Sequence, residues 1–360
     1  MDEEPKSCCQ EKKQPSCCST QEIKTPWYRQ RLTQIMIITL ILLILSYLIP
    51  AFSEYKDAFF MYFKEIWWAI LLGFLLGGII DYTIPSEYIK KYLSRHKKRT
   101  IMYSILFGFL MSACSHGILA IAVTLYKKGA NTASVIAFLL ASPWANLPIT
   151  VLLFSFFGIK AALMILAALF IATTTGFIYQ ALEKKGWVEC QHCKLGEDTP
   201  SLEDFSIRKD LKKRLDAYHP TKAQLTKDFK GILLSSWSLI KMLLWWLLLG
   251  IILASLIHIF VPTSIFQSYL GPTLLGLMIT LVFATIIEVC SEGSAPLAFE
   301  LYRQTGAFGN SLTFLMAGVA TDYTEIGIIW QNIGKRAALF LPLITVPQIV
   351  IIGMLFNIFF

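Results

Sequence analysis

Apolar positions in this chain neither alternate nor recur on one face of a helix; they continue around every side for whole turns. Predominantly apolar runs cover about 33–52, 66–84, 101–126, 132–157, 159–181, 232–260, 272–299, 308–330 and 336–360. Most approach or exceed the roughly 20 residues that a helix needs to cross a bilayer core. The pattern predicts an all-α polytopic membrane protein with eight to nine hydrophobic segments. The first run follows 31 mostly polar residues, is too long for the core of a signal peptide and precedes no small-residue cleavage site. It is expected to remain as an anchor.

The runs repeat. Residues 73–93, "GFLLGGIIDYTIPSEYIKKYL", align without a gap on 250–270, "GIILASLIHIFVPTSIFQSYL", matching Gly73 with Gly250, Pro85 with Pro262 and Tyr92-Leu93 with Tyr269-Leu270. With single-residue slips the register carries "CSHG" (114–117) onto "CSEG" (290–293), "LYKKGA" (125–130) onto "LYRQTGA" (301–307) and "FLLASPWANLP" (138–148) onto "FLMAGVATDYT" (314–324). The expected organisation is a tail at 1–31, an extra helix and loop at 32–65, a first four-segment repeat at 66–181, a linker at 182–230 and a second repeat at 231–360.

Composition agrees, because 55% hydrophobic and 16% charged residues exceed what a soluble core needs. The net charge of +8 does not point to nucleic acid: the basic residues lie beside the spans, as membrane topogenesis places them. The segment "KKYLSRHKKR" (90–99) holds six Lys or Arg, and 182–230 holds eleven against nine Asp or Glu. If 101–126, 132–157 and 159–181 all crossed the membrane, these two clusters would face opposite sides. With one of the three folded back, both clusters and Lys335-Arg336 become cytoplasmic, and the uncharged counterpart 261–272 lies outside. This favours inverted repeats with broken or re-entrant helices around a midplane site; parallel, fully spanning repeats are the alternative.

Cys114, Ser115, His116 and Gly117 interrupt one apolar run, and Cys290, Ser291, Glu292 and Gly293 interrupt its counterpart. Irregular backbone at membrane depth persists only inside protein or beside water, and Gly117 and Gly293 are the expected helix breaks. An ionisable group at the centre of a lipid-facing helix costs at least ~2.5–3.5 kcal/mol, so such groups usually face a pathway. Spacing places Glu288 with Glu292, and Asp322 with Glu325, on shared helical faces. Thiolate, imidazole and carboxylate from Cys114, His116, Cys290 and Glu292 together suit zinc or a similar cation, and thiolates also bind copper(I) and trivalent arsenic. Ser115, Ser291, Glu288, Asn146, Asp322 and Glu325 are candidate pathway or proton-coupling groups. The competing reading makes each Cys a small buried hydrophobe and each Ser or Gly an aid to close helix approach. The paired motif, once with His and once with Glu, favours ligands.

The other cysteines lie outside the spans: Cys8-Cys9 and Cys17-Cys18 in the tail, and Cys190 and Cys193 around His192 in the linker. On a reducing side such clusters bind metal or do redox chemistry more often than they form disulfides, which makes them candidates for accessory metal capture. Palmitoylation, or no role, is the alternative. The Lys/Glu/Gln-rich tail is expected to be disordered without a ligand.

"CSHGILAIAVTLYKKGANTASVIAFLLASPWANLPI" and "EVCSEGSAPLAFELYRQTGAFGNSLTFLMAGVATDY" resemble the two signatures of the predicted-permease family that contains organoarsenical efflux permeases and copper/zinc efflux transporters, over roughly residues 66–360. The family usually has Cys-Ser-Cys-Gly in the first block, whereas His116 stands at the second Cys here. Trivalent arsenic prefers several thiolates, which leaves zinc, copper or another soft ion open. The resemblance implies a permease of the cytoplasmic membrane that exports a soft metal or metalloid species by alternating access, with the ion as substrate and no cofactor. Its partners would be the bilayer, that ion or an organometallic species, and a second copy of the chain or a metal-donor protein. No phosphate loop, His-Glu-x-x-His or complete Ser-His-Asp set is present, so an enzyme is not expected. A membrane-embedded thiol-redox enzyme using Cys114 and Cys290, and an ion channel, are the alternatives. With no nucleotide-binding motif, transport would be secondary or driven by a separate subunit.

Overall fold

A computed structural model describes residues 30–83, 98–110, 115–127, 130–189, 222–287 and 290–360. These form α1 (Arg31–Leu48), α2 (Ser53–Thr83), α3 (Lys98–Leu110), α4 (Ser115–Lys127), α5 (Thr132–Ala145), α6 (Leu147–Phe157), α7 (Lys160–Lys184), α8 (Lys222–Phe260), α9 (Thr263–Leu270), α10 (Leu274–Ile287), α11 (Ser291–Thr305), α12 (Phe308–Ala320), α13 (Tyr323–Asn332) and α14 (Lys335–Phe359). Among the described residues six helical segments are long and apolar enough to cross a membrane, or up to eight if each of two bent pairs is one span. Large apolar side chains such as Leu40, Trp67, Leu71, Leu166, Leu275 and Leu343 are exposed, which suits lipid and not water. The protein is a polytopic all-α membrane protein. The helices that open the repeats begin at Ser53 and Lys222, earlier than the apolar runs at 66 and 232. Apolarity marks only the length in lipid, and both helices continue beyond it through charged turns.

The two halves are inverted. Along α2 and α8, the equivalent first helices, Phe52 meets Phe260 with ring centroids 5.4 Å apart, Gly78 abuts Ser236, and the Tyr82 hydroxyl donates to Asp228 Oδ1 at 2.9 Å. As one number rises the other falls, so these helices run antiparallel. The equivalent last helices, α7 and α14, do the same: Gln348 Nε2 donates to Thr175 Oγ1 at 3.0 Å and the Tyr179 hydroxyl to the Ala337 carbonyl at 2.6 Å. Corresponding helices of a parallel repeat would share one direction.

Each half also contains a hairpin of half-length helices. In the second half α10 runs parallel to α12, since Asn310 Nδ2 donates to the Gly271 carbonyl at 3.0 Å and Thr285 meets Thr321 at 2.7 Å. Helix α11 runs antiparallel to α12, because the chain reverses at Gly306 (φ 68°) and Ser311 Oγ donates back to the Ala298 carbonyl at 2.9 Å. Helices α10 and α11 are therefore antiparallel to each other, each packed on α12, with their tip near Cys290. In the first half Gly108 of α3 packs on Ala141 and Ser142 of α5, while Ile101 and Ala137 flank Gly176, so α3 and α5 are parallel. Helix α4 contacts α5 across the short 128–131 connection, completing the same arrangement. At 13 residues, α3 and α4 are each about 20 Å long, too short for a core of about 30 Å. The runs 101–126 and 272–299, which each read as one span in the sequence, are thus re-entrant pairs.

Candidate functional site

At the tip of the second hairpin, Cys290 is the N-cap of α11, and Ser291 and Glu292 form its first turn. All three are buried. Glu292 Oε2 accepts from Cys290 Sγ at 2.8 Å and from Ser291 Oγ at 3.0 Å, whereas its Oε1 is buried without a hydrogen-bond partner among the described residues. Among the described residues Glu292 is the only ionisable group lining a small apolar cleft whose walls include Gly73 and Phe74 of α2, Pro148 and Leu152 of α6 and Leu247 of α8. A carboxylate at a helix N-terminus is favoured by the helix dipole and the unpaired amides there. One oxygen is held and the other is available to a cation or proton.

The helix break lies before Gly293, not at it, because Gly293 is inside α11. Its backbone is a close-approach point: a Cβ on Gly250 of α8 would collide with the Gly293 carbonyl oxygen. Gly117 is likewise inside α4, which covers Ser115–Lys127. Glu288, expected on one helical face with Glu292, lies outside the described residues. So do Cys114, Cys8, Cys9, Cys17, Cys18, Cys190, His192 and Cys193, and the side chains of Ser115 and His116. The backbone puts His116 in the first turn of α4, the position Glu292 occupies in α11.

Asn146 and Asp322 occupy equivalent places at breaks in the spans that follow the hairpins. Asn146 caps α6, its Oδ1 accepting from the Ile149 amide at 2.9 Å, and Asp322 caps α13, its Oδ1 accepting from the Thr324 and Glu325 amides at 2.6 and 2.9 Å. Asp322 therefore precedes the helix and does not share a face with Glu325, which is buried in its first turn. The Asn146 amide nitrogen is buried without a hydrogen-bond partner among the described residues. Helix α11 packs on α6, and α4 on α13. The hairpin of each half thus meets the broken span of the other, with half-helix N-termini facing the centre.

Among the described residues no group of three or more His, Cys, Asp or Glu is arranged to hold a metal. Sequence reading missed another buried carboxylate, Glu300, which lies two turns beyond Glu292 in α11 and contacts Tyr62 and His258. Its position in an apolar run was the available signal, but the paired Cys-Ser-x-Gly motifs drew attention to the helix start.

Inverted repeats, paired re-entrant hairpins and buried polar groups at broken helices define a membrane permease. The chain belongs to a predicted permease family, whose profile matches residues 52–358. It is 24% identical over 261 residues, 71% of this chain and 79% of the relative, to a protein of Streptococcus mutans described as a putative two-component membrane permease complex subunit. Two UPF0718 proteins are also similar: one from Methanocaldococcus jannaschii, 22% identical over 75% of this chain and 86% of its own length, and one from Bacillus subtilis, 23% identical over 79% and 90%. No solved structure matches the chain.

Proposed function

We propose that this permease exports a soft metal or metalloid species across the cytoplasmic membrane by alternating access, with Cys114, His116, Cys290 and Glu292 as ligands from the two hairpin tips. The observation that carries the reading is Glu292: its Oε1 has no described hydrogen-bond partner, its Oε2 is tied to a thiol, and it opens onto the cleft between the halves. A mixed thiolate, imidazole and carboxylate set binds a soft ion firmly and releases it on protonation. Ser115, Ser291, Glu288, Asn146, Asp322 and Glu325 line the route to that set. The ion is cargo and no resident cofactor is required. The cysteines of the tail and linker capture the ion at low supply, and the protein partner is a second copy, a metal-donor protein or a further subunit. The Streptococcus mutans relative, described as a two-component subunit, supports the last of these.

The test is a panel of zinc, copper, mercury and trivalent arsenical sensitivities in a deletion strain carrying wild type or Cys290→Ala. Wild type should restore resistance to one soft species and the variant should not, at equal amounts in the membrane. Equal resistance from both would remove Cys290 from the site.

A further inference from the structure

Glu300 is a buried carboxylate that the transport scheme above leaves unused. It is 1% exposed and draws partners from three helices. Its Oε2 accepts from the Tyr62 hydroxyl of α2, and Arg303 Nε lies 3.8 Å from the same oxygen. Its Oε1 accepts from Gln304 Nε2 at 2.7 Å and lies 2.8 Å from His258 Nδ1 of α8. From α9, α10 and α12 the neighbouring cavity receives apolar side chains and the Thr280 hydroxyl, with no further titratable group. Tyr62, His258 and Arg303 are thus the ionisable neighbours of Glu300 among the described residues.

His258 Nδ1 has a partner in either protonation state. Carrying a proton, it donates to Glu300 Oε1 at 2.8 Å; without one, it accepts from Gln304 Nε2 at 3.2 Å. The amide is held in that orientation because Gln304 Oε1 accepts from Thr263 Oγ1 at 2.7 Å. The His258 side chain is also 28% exposed against 1% for Glu300, so the imidazole is the member that reaches the protein surface. Imidazole is the side chain suited to proton exchange in the physiological range. Thr263 places the cluster at the membrane face bearing residues 261–272, roughly 12 Å along α11 from Glu292 at 1.5 Å per residue.

We propose that Tyr62, His258, Glu300 and Gln304 form a proton-exchange site, through which the permease takes a proton from, or returns it to, the compartment that bathes residues 261–272. The proton passes between bulk water and the imidazole, and no bond other than that to the proton is made or broken. Use of the site to drive transport rests on the export reading; binding of the proton does not.

Two measurements separate these. In the first, infrared difference spectra of the purified full chain are taken across an acid step. Wild type should show, beside the signals of the other four histidines, an imidazole-to-imidazolium component that disappears in His258→Asn, changes in Glu300→Gln and persists in Glu54→Gln, an exposed control. Gln304→Met removes the amide that contacts both Glu300 Oε1 and the ring and should alter that component; it keeps the test decisive should Glu300→Gln fail to fold. In the second, liposomes containing the protein are assayed with Zn²⁺ and with a trivalent phenylarsenical as probes. Glu300→Gln and His258→Asn should lose about tenfold of the flux driven by a pH gradient, a modest coupling free energy, while substrate exchange at equal pH continues. If wild type moves neither probe, the export reading fails with those substrates and the infrared result alone decides the proton site. An acid-step spectrum identical in wild type, His258→Asn and Glu300→Gln overturns the proposal.

Discussion

Glu292 is tied through one oxygen to Cys290 and Ser291 and presents the other, unpartnered among the described residues, to a cleft. That asymmetry separates orientation from binding. Ser291→Ala removes a donor that orients the carboxylate and should weaken substrate binding by about 10- to 100-fold, as loss of an outer-shell partner does at metal sites. Glu292→Gln removes the charge itself and should abolish transport. Isothermal titration of the purified variants with Zn²⁺ measures the first effect, and equal affinity in Ser291→Ala and wild type would deny the orienting role. At the other tip, His116→Cys adds a second thiol and should shift resistance toward trivalent arsenicals. Growth on paired zinc and arsenical plates reads that shift, and an unchanged ratio would take position 116 out of substrate selection. The residue types of the tip motifs were legible because thiol, imidazole and carboxylate are conspicuous in apolar runs. Glu300 was not, because its partners Tyr62 and His258 are far away in sequence and only folding brings them to it.

At the scale of the elements, hydropathy located the segments and the internal alignment located the repeat, but neither fixed where each helix stops. A re-entrant pair and a single span both read as one long apolar run, since both are surrounded by protein or lipid. The stops instead come from local chemistry: Asn146 and Asp322, which the sequence offered as pathway groups, accept backbone amides and begin new helices. Gly293, expected to break a helix, instead lies inside α11 where α8 meets it, and the missing Cβ of Gly250 permits that contact. Asn146→Ala should cost about 1 kcal/mol through loss of the cap. Gly250→Val should cost about 1–3 kcal/mol by overpacking and should displace the hairpin from α8. Thermal unfolding in detergent compares the two. A Gly250→Val protein with wild-type stability and transport would mean that the hairpin does not depend on that contact.

For the whole molecule, the inversion read from charge agrees with the antiparallel course of α2 with α8 and of α7 with α14. The charge bias supplies the one thing the helices alone do not, which is sidedness. Residues 90–99 and 182–230 should face the cytoplasm and 261–272 the exterior. A Cys placed at Ser94, in a chain whose other cysteines are replaced, should resist an impermeant thiol reagent applied to intact cells and react in inverted vesicles. Labelling from outside the cell would reverse the orientation and with it the direction assigned to the Glu300 site.

The account stands on the claim that the two hairpin tips hold the substrate between them. Uptake of Zn²⁺ and of a trivalent phenylarsenical into inverted vesicles, compared between wild type and the Cys114→Ser, Cys290→Ser double variant at matched protein levels, tests it most directly. The double variant should show no saturable uptake of the species that wild type carries. Uptake at the wild-type rate would contradict the claim and leave both cysteines as packing residues.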